Sequence, residues 1–202
     1  MPEIASHPAL LVLVALAAYL LGAVPFGIVV ARLLGLGDLR TIGSGNIGAT
    51  NVLRTGSKAG ALATLLLDAG KGAAAALIAR ASMGEDAAQI AGLAAFAGHV
   101  WPVYLSFHVG KGVATFLGTL IALAWPVGLA ACATWLAVAA LTRYSSLSAM
   151  VAALAAVLWA PLLGHAEVML LMALFAAIIL WTHRENIARL RAGTESKIGR
   201  KG

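Results

Sequence analysis

Residues 112–142 read GVATFLGTLIALAWPVGLAACATWLAVAALT, 31 positions without a charged side chain. A transmembrane helix needs about 20 apolar residues, so this stretch is long for one helix and short for two. Its middle reads Trp125-Pro126-Val127-Gly128, and proline and glycine both interrupt helices. We therefore expect two short spans, 112–124 and 125–142, joined by a tight turn.

The whole chain has the composition of a membrane protein. Of its 202 residues, 61 % are hydrophobic and 11 % charged, and the mean hydropathy is +0.94. Soluble domains are about 45–50 % apolar and about 25 % charged, so this chain has too little polar surface to cover a water-soluble globule. We expect one all-α transmembrane domain over residues 1–202. Cys132 is the only cysteine, which excludes an intrachain disulfide.

Five further apolar segments bring the expected number of spans to seven: 8–31, 59–79, 87–107, 146–164 and 166–183. The start, MPEIASHPALL, has no basic residue before its apolar run, so we expect a retained first span and not a signal peptide. With the N-terminus outside, every Lys and Arg beyond the spans falls on the inner side except Arg80. Reading 112–142 as one span would turn Arg143 and the six cations of the tail outward.

The positive-inside rule therefore favours a seven-transmembrane helix bundle with the N-terminus outside and the C-terminus cytoplasmic. The net charge of +6 then reflects topology and attraction to anionic lipid, and we expect no nucleic acid partner. The polar stretches of the chain also gather at the inner side in this arrangement. This asymmetry predicts a site at the inner membrane face.

The first inner loop, TIGSGNIGATNVLR at 41–54, is the richest of these stretches. GSGNIG matches the dinucleotide pattern G-x-G-x-x-G, but that pattern has meaning only between a strand and a helix, and here a membrane span precedes it. Glycine backbone N–H groups can still converge on an anion, and an arginine fork suits phosphate. A flexible connector would not need so many hydrogen-bonding groups, which are Gly43, Ser44, Gly45, Asn46, Gly48, Asn51 and Arg54.

Gly110-Lys111-Gly112 resembles half of a nucleotide-binding P-loop. The glycine that such a loop requires five residues upstream is Leu105, so we exclude a nucleotide site. Lys111 remains a point charge suited to phosphate, and a lysine snorkelling to the membrane surface is the structural alternative.

The remaining polar residues divide between structural and chemical candidates. Asp68 and Lys71 are three apart within a span, so we expect a buried structural ion pair. His99, in an apolar span, is interpreted as a hydrogen-bonded interior residue. His183 and Asn186 share one helix face at the inner end of the last span, and His183 is our candidate for proton transfer. The histidines lack metal-ligand spacing, so we expect no metal and no other cofactor.

Three stretches together resemble the bacterial acyl-phosphate-dependent glycerol-3-phosphate acyltransferases, integral membrane enzymes of the PlsY type. They are SGNIGATNVLR at 44–54, GHVWPVYLSFHVGKGVAT at 98–115 and HRENIARLRAGTESKIG at 183–199. LDAGKG at 67–72 and RYSSL at 143–147 also fit, so the resemblance runs in order along nearly the whole chain. It implies a seven-span bundle in the bacterial inner membrane with the active site facing the cytoplasm.

The resemblance also implies a reaction and its residues. The family transfers a fatty acyl group from acyl phosphate to the 1-hydroxyl of glycerol 3-phosphate, the first step of phospholipid synthesis. By motif, Ser44, Arg54, Lys111, His183 and Asn186 fall on catalytic positions. Substrate-binding and structural positions are matched by Gly110, Gly112, Ser146 and Glu195. The family usually has Lys-Gly where this chain has His108-Val109, which removes one cation near the phosphate.

The chemistry agrees with the residues, because an acyl phosphate is already activated and needs no covalent enzyme intermediate. We expect acyl phosphate, glycerol 3-phosphate and membrane lipid as the partners. A transporter or anion channel would need a polar path across the membrane, and a scaffold would not need three inward polar motifs. The sequence leaves open the acyl-chain preference, the proton acceptor (His183 or a substrate phosphate) and the oligomeric state, for which a monomer suffices.

Overall fold

The computed structural model describes residues 2–42, 45–107 and 110–199, so Gly43, Ser44, His108 and Val109 lie outside the described residues. Within those ranges the chain forms only helices and no strand, which confirms the all-α class. The helices are α1 Pro8–Ala23, α2 Phe26–Leu33, α3 Ala49–Arg54, α4 Lys58–Met83, α5 Glu85–Val100, α6 Val113–Leu123, α7 Trp125–Thr142, α8 Ser145–Leu162, α9 Met169–Thr182 and α10 Arg184–Arg191. Short 3₁₀ turns occupy Leu39–Thr41, Val103–Leu105 and Ala166–Val168.

Prolines determine where several of these helices begin and end. The expected break within 112–142 is present, because α6 ends at Leu123 and α7 starts at Trp125 with Pro126 in its first turn. The segment 8–31 remains one candidate span, Pro8–Leu33, with a short break in its helix at Val24-Pro25. The helix expected over 87–107 was wrong in its end, because it stops at Val100, just before Trp101-Pro102. In both cases the residue before proline is disfavoured in the α conformation.

Four segments are long and apolar enough to cross a membrane: Pro8–Leu33, Lys58–Met83, Trp125–Thr142 and Ser145–Leu162. Ala166–Thr182 and Arg184–Arg191 meet the same test only together, and they are bent by 60°. The helix α5 has 16 residues and α6 has 11, so both are shorter than a standard span. The chain is thus an integral membrane helix bundle with helices of unequal length.

Small residues bring the helices into close contact. The helix α1 packs on α5, and α4 packs on both α5 and α6. A Cβ atom on Gly22 would lie 2.0 Å from the Ala95 carbonyl oxygen, and one on Gly118 would lie 2.1 Å from that of Ala69. Larger residues would push these helices apart. Close packing matters here because lipid provides no hydrophobic driving force for helices to associate.

Three buried aromatic rings connect the two halves of the bundle. The ring of Phe175 on α9 lies 4.6 Å from that of Phe96 on α5 and 5.7 Å from that of Phe116 on α6, between ring centroids. The helices α7 and α8 complete this core. The aromatic cluster therefore fixes α9, which leads to His183, relative to α6, which follows Lys111.

Arg80, expected only as an outer-loop cation, stabilises the end of the short helix α6. Its guanidinium donates hydrogen bonds of 2.6 and 2.9 Å to the carbonyl oxygens of Ala122 and Leu123, and it pairs with Glu85. The last carbonyls of a helix have no partner within it, and lipid cannot supply one. Arg80 supplies that partner where α6 ends short of a full span.

Close packing of α4 on α6 predicts a difference between two glycines two residues apart. A Cβ on Gly72 would lie 2.4 Å from Thr119 Oγ1, whereas a Cβ on the exposed Gly70 would meet no atom within 4 Å. Gly72→Val should lower the free energy of unfolding by about 1–3 kcal/mol through overpacking. Gly70→Val is the matched control, with the same change in helix propensity. Equal thermal unfolding midpoints for the two variants in detergent would contradict this packing.

Candidate active site

A cavity of about 460 Å³ opens at the end of the bundle where α4, α6 and α8 begin and α5, α7 and α9 end. The loop before α3 and the segment after α10 complete its wall. Its polar lining consists of Asn46, Thr50, Arg54, Asp68, His99, Lys111, Ser145, Ser146, His183, Asn186, Glu195 and Ser196. The three polar motifs of the sequence therefore meet in one cavity.

One flank of the cavity is apolar. It is formed by Leu62 and Leu65 on α4, Leu117 on α6, and Trp135 and Leu136 on α7, together with Cys132. Leu62 is 56 % exposed and Leu136 is 62 % exposed, so these side chains also belong to the outer, lipid-facing surface. The cavity thus adjoins lipid between α4 and α7 while its other wall is polar.

Lys111 projects from a glycine-flanked loop into the polar part. Gly112 has φ +76°, a left-handed conformation that glycine adopts without strain, and α6 starts at the next residue. The Lys111 ammonium donates a 2.8 Å hydrogen bond to Asn186 Oδ1. Burial, followed by the positive charges of Arg189 and Arg54, lowers the pKa of Lys111 to about 8.

Glu195 organises the polar wall. One of its carboxylate oxygens accepts hydrogen bonds of 2.7 Å from Ser146 Oγ and Asn186 Nδ2, and the other accepts one of 2.7 Å from Arg189 Nε. Burial acts to raise the pKa of Glu195, but the hydrogen bonds from Ser146, Arg189 and Asn186 and the charge of Arg189 outweigh it and lower the pKa. The charged carboxylate orients the Asn186 amide so that its oxygen faces Lys111.

Arg54, at the end of α3, is held by two hydrogen bonds. Its Nη1 donates to Asn51 Oδ1 at 3.1 Å and its Nη2 to Ser196 Oγ at 2.6 Å. Asn51 is buried and donates to the Leu39 carbonyl oxygen at 2.7 Å, so its side chain supports Arg54 from behind. Arg54 and Lys111 form no ion pair with any residue that the structure describes, and both are available to an anion.

His183 lies between α9 and α10 and is almost fully buried. Its Nδ1 lies 2.8 Å from the Ile179 carbonyl oxygen. A carbonyl can only accept, so Nδ1 carries the hydrogen and Nε2 is the unprotonated nitrogen. Burial, and then the charge of Lys111, lowers the pKa of His183 to about 4. The ring is therefore neutral at physiological pH, and Nε2 is a hydrogen-bond acceptor of low basicity.

Comparison with known proteins identifies the family of this chain. A sequence model of the glycerol-3-phosphate acyltransferase family matches residues 12–193. The chain belongs to this family. It is 63 % identical over 202 residues to a glycerol-3-phosphate acyltransferase of Dinoroseobacter shibae, covering 100 % of this chain and 99 % of the relative. It is 62 % identical over 201 residues to one from Cereibacter sphaeroides, covering 100 % and 96 %.

Two solved structures share the fold as well. The chain resembles crystal structures of PlsY (YgiH), an integral membrane glycerol 3-phosphate acyltransferase, in a glycerol 3-phosphate form and a lysophosphatidic acid form. The TM-scores are 0.88 and 0.85 at 41 % and 38 % identity, over 94 % of this chain and 96 % and 95 % of the others. The chain is therefore a PlsY-type member of this family and an integral membrane protein.

The structure brings most of the predicted site residues of this acyltransferase together. Cavity-lining members of the predicted set are Asn46, Gly48, Arg54, Lys111, Gly112, Ser146, His183, Asn186 and Glu195. Gly45, Asn51 and Gly110 are not among the described lining residues, and their assignment to substrate binding stays a prediction. Gly43 and Ser44 lie outside the described residues.

Sequence reasoning missed several residues of the cavity wall. Thr50 and Ser145 stand within the motifs, and their hydroxyls lie 3.2 Å apart, where α3 meets α8. Ser196 directly follows Glu195 in the chain, and this adjacency could have indicated that Ser196 lines the cavity. His99 was assigned to the interior but lines the cavity. The apolar wall carried no signal, because its leucines resemble every other lipid-facing leucine.

The lowered pKa of Lys111 predicts how substrate binding by this acyltransferase depends on pH. The ammonium is charged below about pH 8 and neutral above it, so the dissociation constant of glycerol 3-phosphate should rise with pH through that value. In Lys111→Arg the guanidinium stays protonated, and the curve should remain level to about pH 9.5. Titration calorimetry in detergent checks this, and parallel curves for the two proteins would exclude Lys111 as the titrating group.

Proposed function

We propose that this acyltransferase takes its acyl group from an acyl phosphate and transfers it to the 1-hydroxyl of glycerol 3-phosphate. The products are 1-acylglycerol 3-phosphate and inorganic phosphate, and the reaction is the first step of phospholipid synthesis. The observation that carries this proposal is a single cavity with two cations, Arg54 and Lys111, free of ion pairs with described residues and an apolar flank that adjoins lipid. Two phosphates and one acyl chain have the matching chemistry.

The proposed reaction needs no covalent intermediate on the protein. The 1-hydroxyl oxygen attacks the acyl carbonyl carbon and forms the ester, while the bond from that carbon to the phosphate oxygen breaks. The phosphate leaves with the bonding electrons. Because the donor is a mixed anhydride, the protein has to neutralise the phosphates, align the hydroxyl with the carbonyl and let one proton move.

We assign the phosphates to the two cations and to backbone N–H groups. The planar fork of Arg54 suits bidentate contact with one phosphate, and the Lys111 ammonium supplies a point charge to the other. Asn186 holds Lys111 at 2.8 Å and thus positions that charge. Ser44 retains the catalytic role implied by its motif. Leu62, Leu65, Leu117 and Trp135 would accommodate the acyl chain.

For the proton we favour the departing phosphate over His183. Nε2 of His183 is free to accept a hydrogen bond from the hydroxyl, since Nδ1 is bonded to Ile179. A pKa of about 4 makes this ring a poor proton acceptor. A phosphate with a second pKa near ~6 is more basic and is already in the cavity. His183 then orients the hydroxyl, and the leaving group takes its proton.

We further propose seven spans, with α1 and α2 forming the first and α4 to α9 the others. The short helices α5 and α6 count as spans because they lie within the bundle between longer neighbours. The N-terminus is then outside, and the cavity and the C-terminus face the cytoplasm across the bacterial inner membrane. The chain acts as one domain, and a single copy supplies every residue assigned to the site.

The choice of acyl donor tests the proposed reaction directly. Purified protein in detergent should acylate labelled glycerol 3-phosphate from acyl phosphate but not from acyl-CoA or acyl carrier protein. Lys111→Met, which removes one proposed phosphate contact, serves as the inactive control. Robust acylation from acyl-CoA would falsify the donor assignment.

His183→Gln separates the two proton acceptors. If the ring only orients the hydroxyl, the variant should show a higher KM for glycerol 3-phosphate and a decrease in kcat smaller than the roughly 10²- to 10⁴-fold typical of losing a general base. An acidic limb in kcat near pH ~6, from protonation of the accepting phosphate, should persist in His183→Gln. A limb there that disappears in His183→Gln would make His183 the base.

Two cysteine variants test the topology, in a Cys132→Ala background. Ser82 and Thr194 are both exposed, the first at the end of α4 and the second after α10. In intact cells, Ser82→Cys should react with a membrane-impermeant thiol reagent and Thr194→Cys should not, whereas both should react after the membrane is opened. External labelling at position 194 would exclude the seven-span arrangement.

A further inference from the structure

The loop that carries Lys111 lies directly against the last turn of α5. Gly110 N–H donates a 2.8 Å hydrogen bond to the Val100 carbonyl oxygen. A Cβ atom on Gly110 would lie 2.4 Å from the His99 carbonyl oxygen and 3.0 Å from its ring, and one on Gly112 would lie 2.3 Å from the Phe96 ring. Phe96, His99 and Val100 share one face of α5, and we call these three residues the loop seat.

His99 is the polar member of the loop seat, and it lies within ion-pair distance of a buried carboxylate. Its Nδ1 lies 3.6 Å from Asp68 Oδ1 on α4, which pairs with Lys71 at 3.0 Å. Lys71 also donates to the Val24 carbonyl oxygen at 2.8 Å, at the break between α1 and α2. Thr115 Oγ1, in the first turn of α6, donates to the Asp68 carbonyl oxygen at 2.9 Å. His99 is thereby connected to α1, α4 and α6.

The position of these buried polar groups requires a physical explanation. Burying a charged residue inside a membrane bundle is energetically unfavourable, and apolar side chains could fill the same volume. The cluster lies beside the loop and next to the cavity, not at an arbitrary level of the bundle. Lys111 lies between the two glycines that contact the loop seat. A shift of the His99 ring would therefore move the Lys111 ammonium relative to Asn186.

We propose that His99, held by Asp68, is a positioning residue for the Gly110–Gly112 loop and sets the place of the Lys111 ammonium in the substrate cavity. This inference rests on the proposed role of Lys111 in binding phosphate. It also gives the two glycines a steric function, because only a residue without Cβ lets the loop reach the seat. His99 acts through the loop, and the substrate contact belongs to Lys111.

Two amide replacements distinguish positioning from direct contact. The amide nitrogen of asparagine approximates Nδ1 of histidine, and that of glutamine approximates Nε2. His99→Asn keeps a donor toward Asp68 and should bind glycerol 3-phosphate nearly as the wild type does. His99→Gln loses that donor and should bind it about tenfold more weakly, with kcat at saturating substrate changed by less than about threefold.

The measurements are calorimetric dissociation constants for glycerol 3-phosphate in detergent, accompanied by thermal unfolding midpoints. Equal affinities in the two variants overturn the proposal, and so does the reverse order, which would indicate direct contact between Nε2 and substrate. If His99→Gln does not remain folded, Gly110→Ala serves instead. Its added Cβ pushes the loop away from α5, and the buried charged residues stay unchanged. Normal binding by Gly110→Ala overturns the proposal as well.

These outcomes are separate from those of the donor assay. Binding of glycerol 3-phosphate needs no acyl donor, so a wrong donor assignment would leave the comparison of His99→Asn with His99→Gln intact. Conversely, turnover of acyl phosphate by the wild type would stand if His99 proved unimportant.

Discussion

The length of α6 constrains the rest of the structure. Its 11 residues span about 16 Å, roughly half of the ~30 Å hydrocarbon core. In the proposed seven-span arrangement, at least one of its ends lies within the hydrocarbon, where lipid cannot satisfy backbone groups and the protein must supply the partners. Arg80 bonds the carbonyls at one end, and the seated Gly110–Gly112 loop occupies the other. Lys111, which would snorkel to the surface from a longer helix, is instead buried beside a cavity.

A second constraint follows, because a cavity that binds anions must keep its cations unneutralised. Glu195 is a cavity carboxylate that could neutralise these cations. Both of its oxygens are instead occupied by hydrogen bonds from Ser146, Asn186 and Arg189. Its charge is thus directed at Arg189 and at the orientation of the Asn186 amide. Among the described residues, the hydrogen-bond partner of Lys111 is the Asn186 amide oxygen, a neutral group that fixes the ammonium without cancelling its charge. Under the proposed phosphate binding, an anionic substrate would meet an ammonium that no described residue holds in an ion pair.

The sequence was sufficient for the helical class, the break before Trp125 and the meeting of three distant motifs, since each of these follows from apolar length, proline placement or a resemblance along the chain. It was not sufficient for the hydrogen bonds of Asn51 to Leu39 and Arg54, because a hydrogen bond to a backbone carbonyl leaves no trace in a motif. The helix break at Val24-Pro25 and the early end of α5 were missed because hydropathy does not register backbone geometry. His99 was read as an ordinary interior residue because its partner Asp68 is 31 positions away.

Glycine-lysine-glycine illustrates how one motif permits two physical interpretations. As a sequence it predicts backbone N–H groups arranged around a phosphate, with the glycines chosen for freedom. In the structure, Gly110 donates its N–H to the Val100 carbonyl oxygen and Gly112 directly precedes α6, while both lack a Cβ where α5 leaves no room for one. The glycines of this loop are therefore required for close approach, and the rigidity that results benefits Lys111. A flexible loop would lose entropy each time it ordered around a substrate, whereas a seated loop presents its charge in advance.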